Sequence, residues 1–564
     1  MRTLWLLALL VCLSLPVQAE SWRHAVDAYF DNHFGYHPTD GTQAGFHQYD
    51  SRLEDVSAAS RAAEAADLHS FLKRFEALPP ASLSPSDRID RDLLIHTIRG
   101  QLLELERIRS WRKNPDQYTS ACTVSAFSLI SRTFRTPPDR LEALIEREKA
   151  MPGVLQEARA NLAHCPPEFV EIALDQLPDS ISFFQHDVPE AFKTLQGDPL
   201  MAEFQASNEA VINALQAYQD WLKAVVAPHA DGDFRLGADN LARMLADDEM
   251  VDVPLDRILA VGMTNMRANQ AQFRRVAHGI DPNRPASALL ADLQHDHPAP
   301  DHLLDTFRHT LGGIRSFIVR HHIVGIPSKV MPILEETPPF DRALTFASMD
   351  IPGPFEREAT EAYFNVTLPD PGLTPEQVED YMGGFNRGTI VSTAVHEAFP
   401  GHYVQYLWLQ RLHDKARQLI TAYSTSEGWA HYCEQMMLDQ GLFKNDPKLR
   451  LGQLQDALLR NARLVVSLQM HRGRMTRDQA VQFFVHEGYQ TPTDARREVL
   501  RGTADPLYLC YTLGKLQIMK LRADYLQAHP GATIGQFHDA FMRQGILPVC
   551  LIRRALLGSD GPLL

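Results

Sequence analysis

TAVHEAFPGHYVQYLWLQRL, residues 393–412, sets two imidazoles and a carboxylate, those of His396, His402 and Glu397, into an apolar stretch compatible with a helix. How the two histidines meet decides what is built here. In the common H-E-x-x-H arrangement the histidines stand four residues apart, one helix face offers both to zinc, and the Glu serves as general base. Here the separation is six. On an unbroken helix six residues rotate the second side chain by roughly 240°, so both rings could not reach one ion. Pro400 and Gly401 can absorb the excess: Pro400 has no N–H for the carbonyl of His396, and Gly401 tolerates dihedrals closed to other residues. The spacing therefore predicts a bulge or kink at Pro400–Gly401 that returns His402 to the metal side.

A hydrolytic zinc site needs a third protein ligand and one open position. STSEGWAHYCEQMM, residues 424–437, supplies Glu427, 25 residues after His402. If the His402 helix turns at the polar stretch His413–Lys415 and returns, Glu427 comes back level with His402. Leu419, Tyr423, Glu427 and Ala430 are expected on one face of the return helix, with Gly428 allowing close approach to the first. An acid on an apolar face is costly unless paired or metal-bound, which favours Glu427 as the ligand. His431, one turn on, is either a partner behind the ligands or a packed histidine.

Further out, most of the chain reads as helix. SRAAEAADLHSFLKRFEAL (60–78), PDRLEALIEREKAM (138–151) and NEAVINALQAYQDWLKAVV (208–226) carry apolar residues at three-and-four spacing. Pro79–Pro80, Pro137–Pro138 and Pro166–Pro167 read as their stops. Strand signals concentrate between about Ile333 and Thr367, where runs such as AYFNVTL predict a small sheet or hairpin. The sequon Asn365–Thr367 reads as incidental. No repeat, linker or low-complexity tract divides the chain. The expectation is a mainly α fold in one large unit.

With 564 residues, 45% of them hydrophobic, the chain can bury a large core without staples. Its net charge of −15 argues against a nucleic-acid partner, which needs clustered Lys and Arg. Residues 1–19, with Arg2, an apolar run from Leu4 to Val17 and Ala19, read as a Sec-type signal peptide. That run is too short for the roughly 20 residues of a spanning helix, and Val11 before Cys12 is unlike a lipoprotein signal. A mature chain starting near Glu20, periplasmic or secreted and without a membrane span, is expected. Five cysteines remain beyond residue 19, with no C-x-x-C pair; Cys122 with Cys165 is the disulfide pairing favoured here.

The chemistry follows from the donor types. Two neutral imidazoles and a carboxylate leave zinc with residual charge and an open position, and Glu397 takes the proton of the attacking water and passes it to the leaving amine. The oxyanion needs a further donor, and REVLRGTADPLYLCYTLGK (497–515) offers Tyr508, Tyr511 and Arg501. His471, in RLVVSLQMHRGR (463–474), is another candidate. Arg501 or Lys515 is suited to hold a substrate carboxylate.

HEAFPGH (396–402), EGWAHYCE (427–434), the RLVV run ahead of His471 and the stretch Pro506–Gly514 together resemble the bacterial DUF885 family, and more distantly the gluzincin metallopeptidases. HPTDGTQAGFHQYD (37–50) and EETPPFDRALTFASMDIPGPFE (335–356) resemble its N-terminal and middle signatures, so the likeness spans nearly the whole chain. The resemblance implies His396, His402 and Glu427 as ligands of one zinc ion, Glu397 as base and Tyr511 as transition-state donor. Arg501 and His471 would be further pocket residues, although Ser467 stands where the family pattern often has an acid. It also implies two lobes, about 20–320 and 321–564, around a deep cleft suited to short peptides. The expected function is a zinc peptidase of the carboxypeptidase or dipeptidase kind. A zinc amidase acting on cell-wall fragments is an alternative. A helical binding protein with structural zinc is another, which the presence of Glu397 disfavours because a structural site gains nothing from a base.

Overall fold

The computed structural model describes residues 21–337, 342 and 346–564. The expected signal peptide, with Cys12 and its cleavage site, lies outside them. The chain is mainly helical with one small sheet. Helix starts are written into the sequence as caps: Ser57, Ser84, Thr136 and Thr491 each accept a backbone N–H of the first turn through the side-chain oxygen. Pro137 and Pro167 prove to be first residues of helices rather than stops, because a proline at that position forfeits no helical hydrogen bond.

The segments read as amphipathic form α1 (Ala58–Ala77), α2 (Pro137–Asn161) and α3 (Leu200–Trp221). They are followed by α4 (Leu255–Ile280) and α5 (Leu303–His321). Strands β1 (Ile333–Glu336), β2 (Ala347–Asp350) and β3 (Tyr363–Val366) make the expected sheet in the order β1-β3-β2. β3 is central, parallel to β1 with Ile333 opposite Tyr363, and antiparallel to β2 with Ala347 opposite Val366. Phe364 and Val366 are fully buried and join a large apolar cluster with Phe307 and Ile314 of α5. Asn365 of the sequon is also buried in this strand.

The C-terminal part supplies α6 (Arg387–Thr393), α7 (His402–Leu409), α8 (Tyr423–Asp439), α9 (Pro447–His471), α10 (Pro492–Ala504) and α11 (Cys510–Ala528). Packing is continuous across residue 320. Met266 and Phe273 of α4 lie with Leu454, Leu458 and Val466 of α9 in one cluster, and Ile89 and Leu93 join residues of α6 to α8 in another. Burying each such side chain contributes about 1.5–3 kcal/mol, which ties α9 firmly to α4. Among the described residues no helix is long and apolar enough to cross a membrane.

The Cys122–Cys165 pairing is not formed, and both thiols are free. Cys122 is fully buried among Leu141, Leu144 and Leu155, where its thiol serves as a small apolar side chain.

Candidate metal centre

The helix begun by α6 does not run through the motif. After Thr393 it widens into a π-turn over Ala394–Ala398, which carries His396 and Glu397, and then stops at Phe399, whose backbone is extended. The Phe399–Pro400 peptide is cis, and the N–H of Gly401 returns to the carbonyl of Val395 at 3.0 Å. α7 then starts afresh at His402. The expected kink is thus a complete break. Gly401 is required there by space: a Cβ would lie 1.6 Å from the carbonyl oxygen of His396. Trp429, fully buried, donates from Nε1 to the Pro400 carbonyl at 2.8 Å and pins the turn to α8. The break brings the rings of His396 and His402 edge to face, 4.9 Å apart.

Glu427 faces both. Its Oε2 lies 3.2 Å from Nε2 of His396 and 3.6 Å from Nε2 of His402. Burial opposes ionisation of Glu427, and the imidazoles, His402 foremost, overcome it and hold the carboxyl well below the usual range. Leu419 ends a separate short helix, Lys415–Leu419, so it does not share the face of Glu427 as expected. Gly428 does permit a close approach, but to α11 rather than α7: a Cβ on Gly428 would meet the backbone of Gly514 at 2.6 Å, and one on Gly514 would meet the Ser424 carbonyl at 1.7 Å. This backbone contact between α8 and α11 brings Tyr511, one turn before Gly514, to the ligands.

Behind the ligands is a layer the sequence reading did not assign. The Nδ1–H of His396 donates to Oε1 of Glu434 at 2.7 Å, and His431 Nδ1 lies 3.0 Å from the other oxygen. Arg460 of α9 completes the set at 3.0 Å from Oε1. Glu434 is fully buried, and although burial opposes its charge, the Arg460 guanidinium and hydrogen bonds from His396 and His431 hold its carboxyl well below the usual range. His431 is therefore a partner behind the ligands, and burial pushes its pKa down to about 3. On the other side, Gln405 offers Oε1 to His402 Nδ1 at 3.2 Å while its own Nε2 donates to the Thr425 carbonyl. Each imidazole thus has Nδ1 tied back and Nε2 directed at Glu427, the orientation that second-layer hydrogen bonds give to zinc-binding histidines. The signals were a carboxylate seven residues after Glu427, two turns along the same helix, and a Gln three residues after His402. Glu434→Gln is expected to weaken zinc binding about 10- to 100-fold, measured by competition with a chromogenic chelator. A lowered melting temperature with unchanged zinc affinity would assign Glu434 to packing alone.

Glu397 sits within the same constellation: one donor atom each of His396, Glu397 and His402 lie within 4.8 Å of one another. It is only partly buried. The donor types suit zinc: His396 Nε2 and His402 Nε2 could hold it together with a carboxylate oxygen of Glu427 or of Glu397.

Tyr511 stacks on His396 at 6.1 Å between ring centres and meets Tyr423 edge-on at 5.9 Å. The Arg463 guanidinium lies 5.0 Å from its ring centre and that of Arg460 5.7 Å. Arg501, partly exposed, stands within electrostatic reach of Tyr511 and Tyr423. The other candidates are elsewhere. Tyr508 is fully buried with its hydroxyl against Gly502. His471 is not at the site: its Nε2 bonds the Gly502 carbonyl at 2.9 Å and its ring meets Phe234. It stands 11 residues beyond Arg460 on α9, about 16 Å along the axis. Ser467, on the same helix, donates to the Pro506 carbonyl. Lys515 is buried in the second layer, where desolvation pulls its pKa down to about 8.

Among solved structures, the fold is similar to a protein from Shewanella oneidensis described as "a putative lipoprotein of unknown function", at 24% identity and a TM-score of 0.81, covering 96% of this chain and 100% of that one. It is also similar to a protein from Colwellia psychrerythraea described as "the putative lipoprotein", at 17% identity and a TM-score of 0.79, covering 95% and 98%. At these identities the likeness is one of fold. No curated protein matches. The profile described as "Bacterial protein of unknown function (DUF885)" matches residues 38–556, from the second residue of the HPTDGTQAGFHQYD stretch through the whole metal constellation, and the chain belongs to the DUF885 family.

Proposed function

We propose that this protein is a zinc-dependent hydrolase acting on the amide bonds of short peptides. The observation that carries the proposal is the convergence of two imidazole Nε2 atoms on Glu427, each with its Nδ1 tied back, beside a second carboxylate, Glu397. Zinc bound there would polarise the scissile carbonyl and acidify a water. Glu397 takes the proton of the attacking water and delivers it to the leaving amine. Tyr511, held against His396 by the arginines over its ring, donates its hydroxyl proton to the oxyanion in a hydrogen bond. The free base argues against a structural metal, which would leave Glu397 without a task. The description of both structural relatives as lipoproteins favours the cell envelope as the place of action, in keeping with the leader-like residues 1–19.

The test is metal analysis of the wild type beside Glu427→Ala, with hydrolysis of a short-peptide panel before and after chelation. A single equivalent of zinc in the wild type, a marked deficit in the variant, and hydrolysis lost on chelation and regained with zinc are expected. Full zinc in Glu427→Ala would reject the ligand set, and hydrolysis that survives chelation would reject the mechanism. A panel that includes muropeptides also separates peptidase from cell-wall amidase.

A further inference from the structure

We infer that Arg501 receives the terminal carboxylate of the substrate, so that the site trims short peptides from their C-terminal end; this rests on the hydrolase reading above. The cations around the site differ in whether a substrate could reach them. Lys515 is 1% exposed, out of a substrate's reach. Arg460 is committed to Glu434, and Arg463 gives both Nε and Nη2 to Glu498, at 2.7 and 2.8 Å. Arg501 differs in exposure and in unused donors. Its side chain is 40% exposed, and its Nε and Nη2 both point at one oxygen, Oδ2 of Asp505, at 3.2 and 3.0 Å.

Asp505 is itself 31% exposed, so the pair is a weak surface contact that orients the guanidinium without consuming it. A planar guanidinium suits a carboxylate because two parallel N–H groups match its two oxygens. Arg463, bonded to Glu498 one turn before Arg501 on α10, lies 5.0 Å from the ring centre of Tyr511, which stacks on His396 and meets Tyr423 edge to face. The helix that carries Arg501 is therefore tied, through Arg463, to the tyrosine that stacks on His396. When one residue is removed at a time from the C-terminal end, a single residue separates the scissile bond from the carboxylate, so both must be held close together. An endopeptidase has no use for a cation there.

The experiment compares an N-acylated dipeptide bearing a free C-terminal carboxylate with its C-terminal carboxamide, on wild type, Arg501→Gln and Arg501→Lys. Wild type is expected to favour the acid in kcat/KM by about 10- to 100-fold, the range for a charged hydrogen-bonded pair. In Arg501→Gln that ratio should fall toward one, chiefly through KM, and Arg501→Lys should restore part of it. Equal wild-type rates on acid and amide, or equal losses on both in Arg501→Gln, would overturn the assignment. The wild-type ratio needs no variant, so misfolding of either variant leaves the test standing. If wild type cleaves neither substrate, the hydrolase reading fails, and Arg501 is then judged by calorimetric titration with N-acetyl-phenylalanine and its amide. Binding of the acid alone, lost in Arg501→Gln, upholds carboxylate recognition, and absence of a preference for the acid refutes it.

Discussion

Glu397→Gln is expected to leave the fold and the zinc content intact while lowering kcat for peptide hydrolysis about 10²- to 10⁴-fold, the usual contribution of a positioned general base. The substitution is isosteric and removes only the proton acceptor. Glu397 is partly exposed and is not the carboxylate set between the two Nε2 atoms, so the amide leaves no buried charge stranded. Zinc content measured beside kcat separates the two roles the geometry allows. A ligand would lose metal and activity together, whereas a base loses activity alone. A variant with full zinc and kcat within about tenfold of wild type would remove Glu397 from the mechanism.

Much of this centre was legible because its chemistry is local. The six-residue spacing forced a break between His396 and His402, and an acid on an apolar face marked Glu427. What stayed hidden depends on partners that helical periodicity does not name. Periodicity places Gly428 on a close-packed face, yet only the fold shows that the helix it touches carries Gly514 and hence Tyr511. Glu434 lay in the same quoted motif, but its task depends on His396 Nδ1, 38 residues away in sequence. His471 misled for the converse reason. α9 is 25 residues long, so one helix serves the site at Arg460 and a separate packing environment at His471. The helical class and the small sheet were readable from three-and-four apolar spacing and β-prone runs. The thiol pairing was not, since burial as an apolar side chain and burial as half of a disulfide look alike in sequence.

Gly401→Ala is expected to abolish stoichiometric zinc binding and with it activity. The added Cβ would lie 1.6 Å from the His396 carbonyl oxygen, 2.4 Å from its carbon and 2.6 Å from the Val395 oxygen. All three are backbone atoms, so no side-chain rotation relieves the contact. Overpacking in a firm interior costs about 1–3 kcal/mol when side chains can yield, and here the turn itself must open. His402 is the first residue of α7, and it moves with the turn. Separating it from His396 by even an ångström takes the two Nε2 atoms off one tetrahedral ion, since zinc–nitrogen bonds are held near 2.0–2.1 Å. Gly312→Ala is the control. Gly312 lies inside α5 with nothing within 4 Å of the added Cβ, and there alanine should stabilise the helix by roughly 0.4–1 kcal/mol. Thermal melts with and without zinc read both effects: Gly312→Ala should shift apo and zinc-loaded melts upward together, whereas Gly401→Ala should erase the difference between them. A Gly401→Ala protein that binds a full equivalent of zinc and melts like wild type would mean that the break after Ala398 does not deliver His402, and the ligand set would have to be redrawn around Glu397.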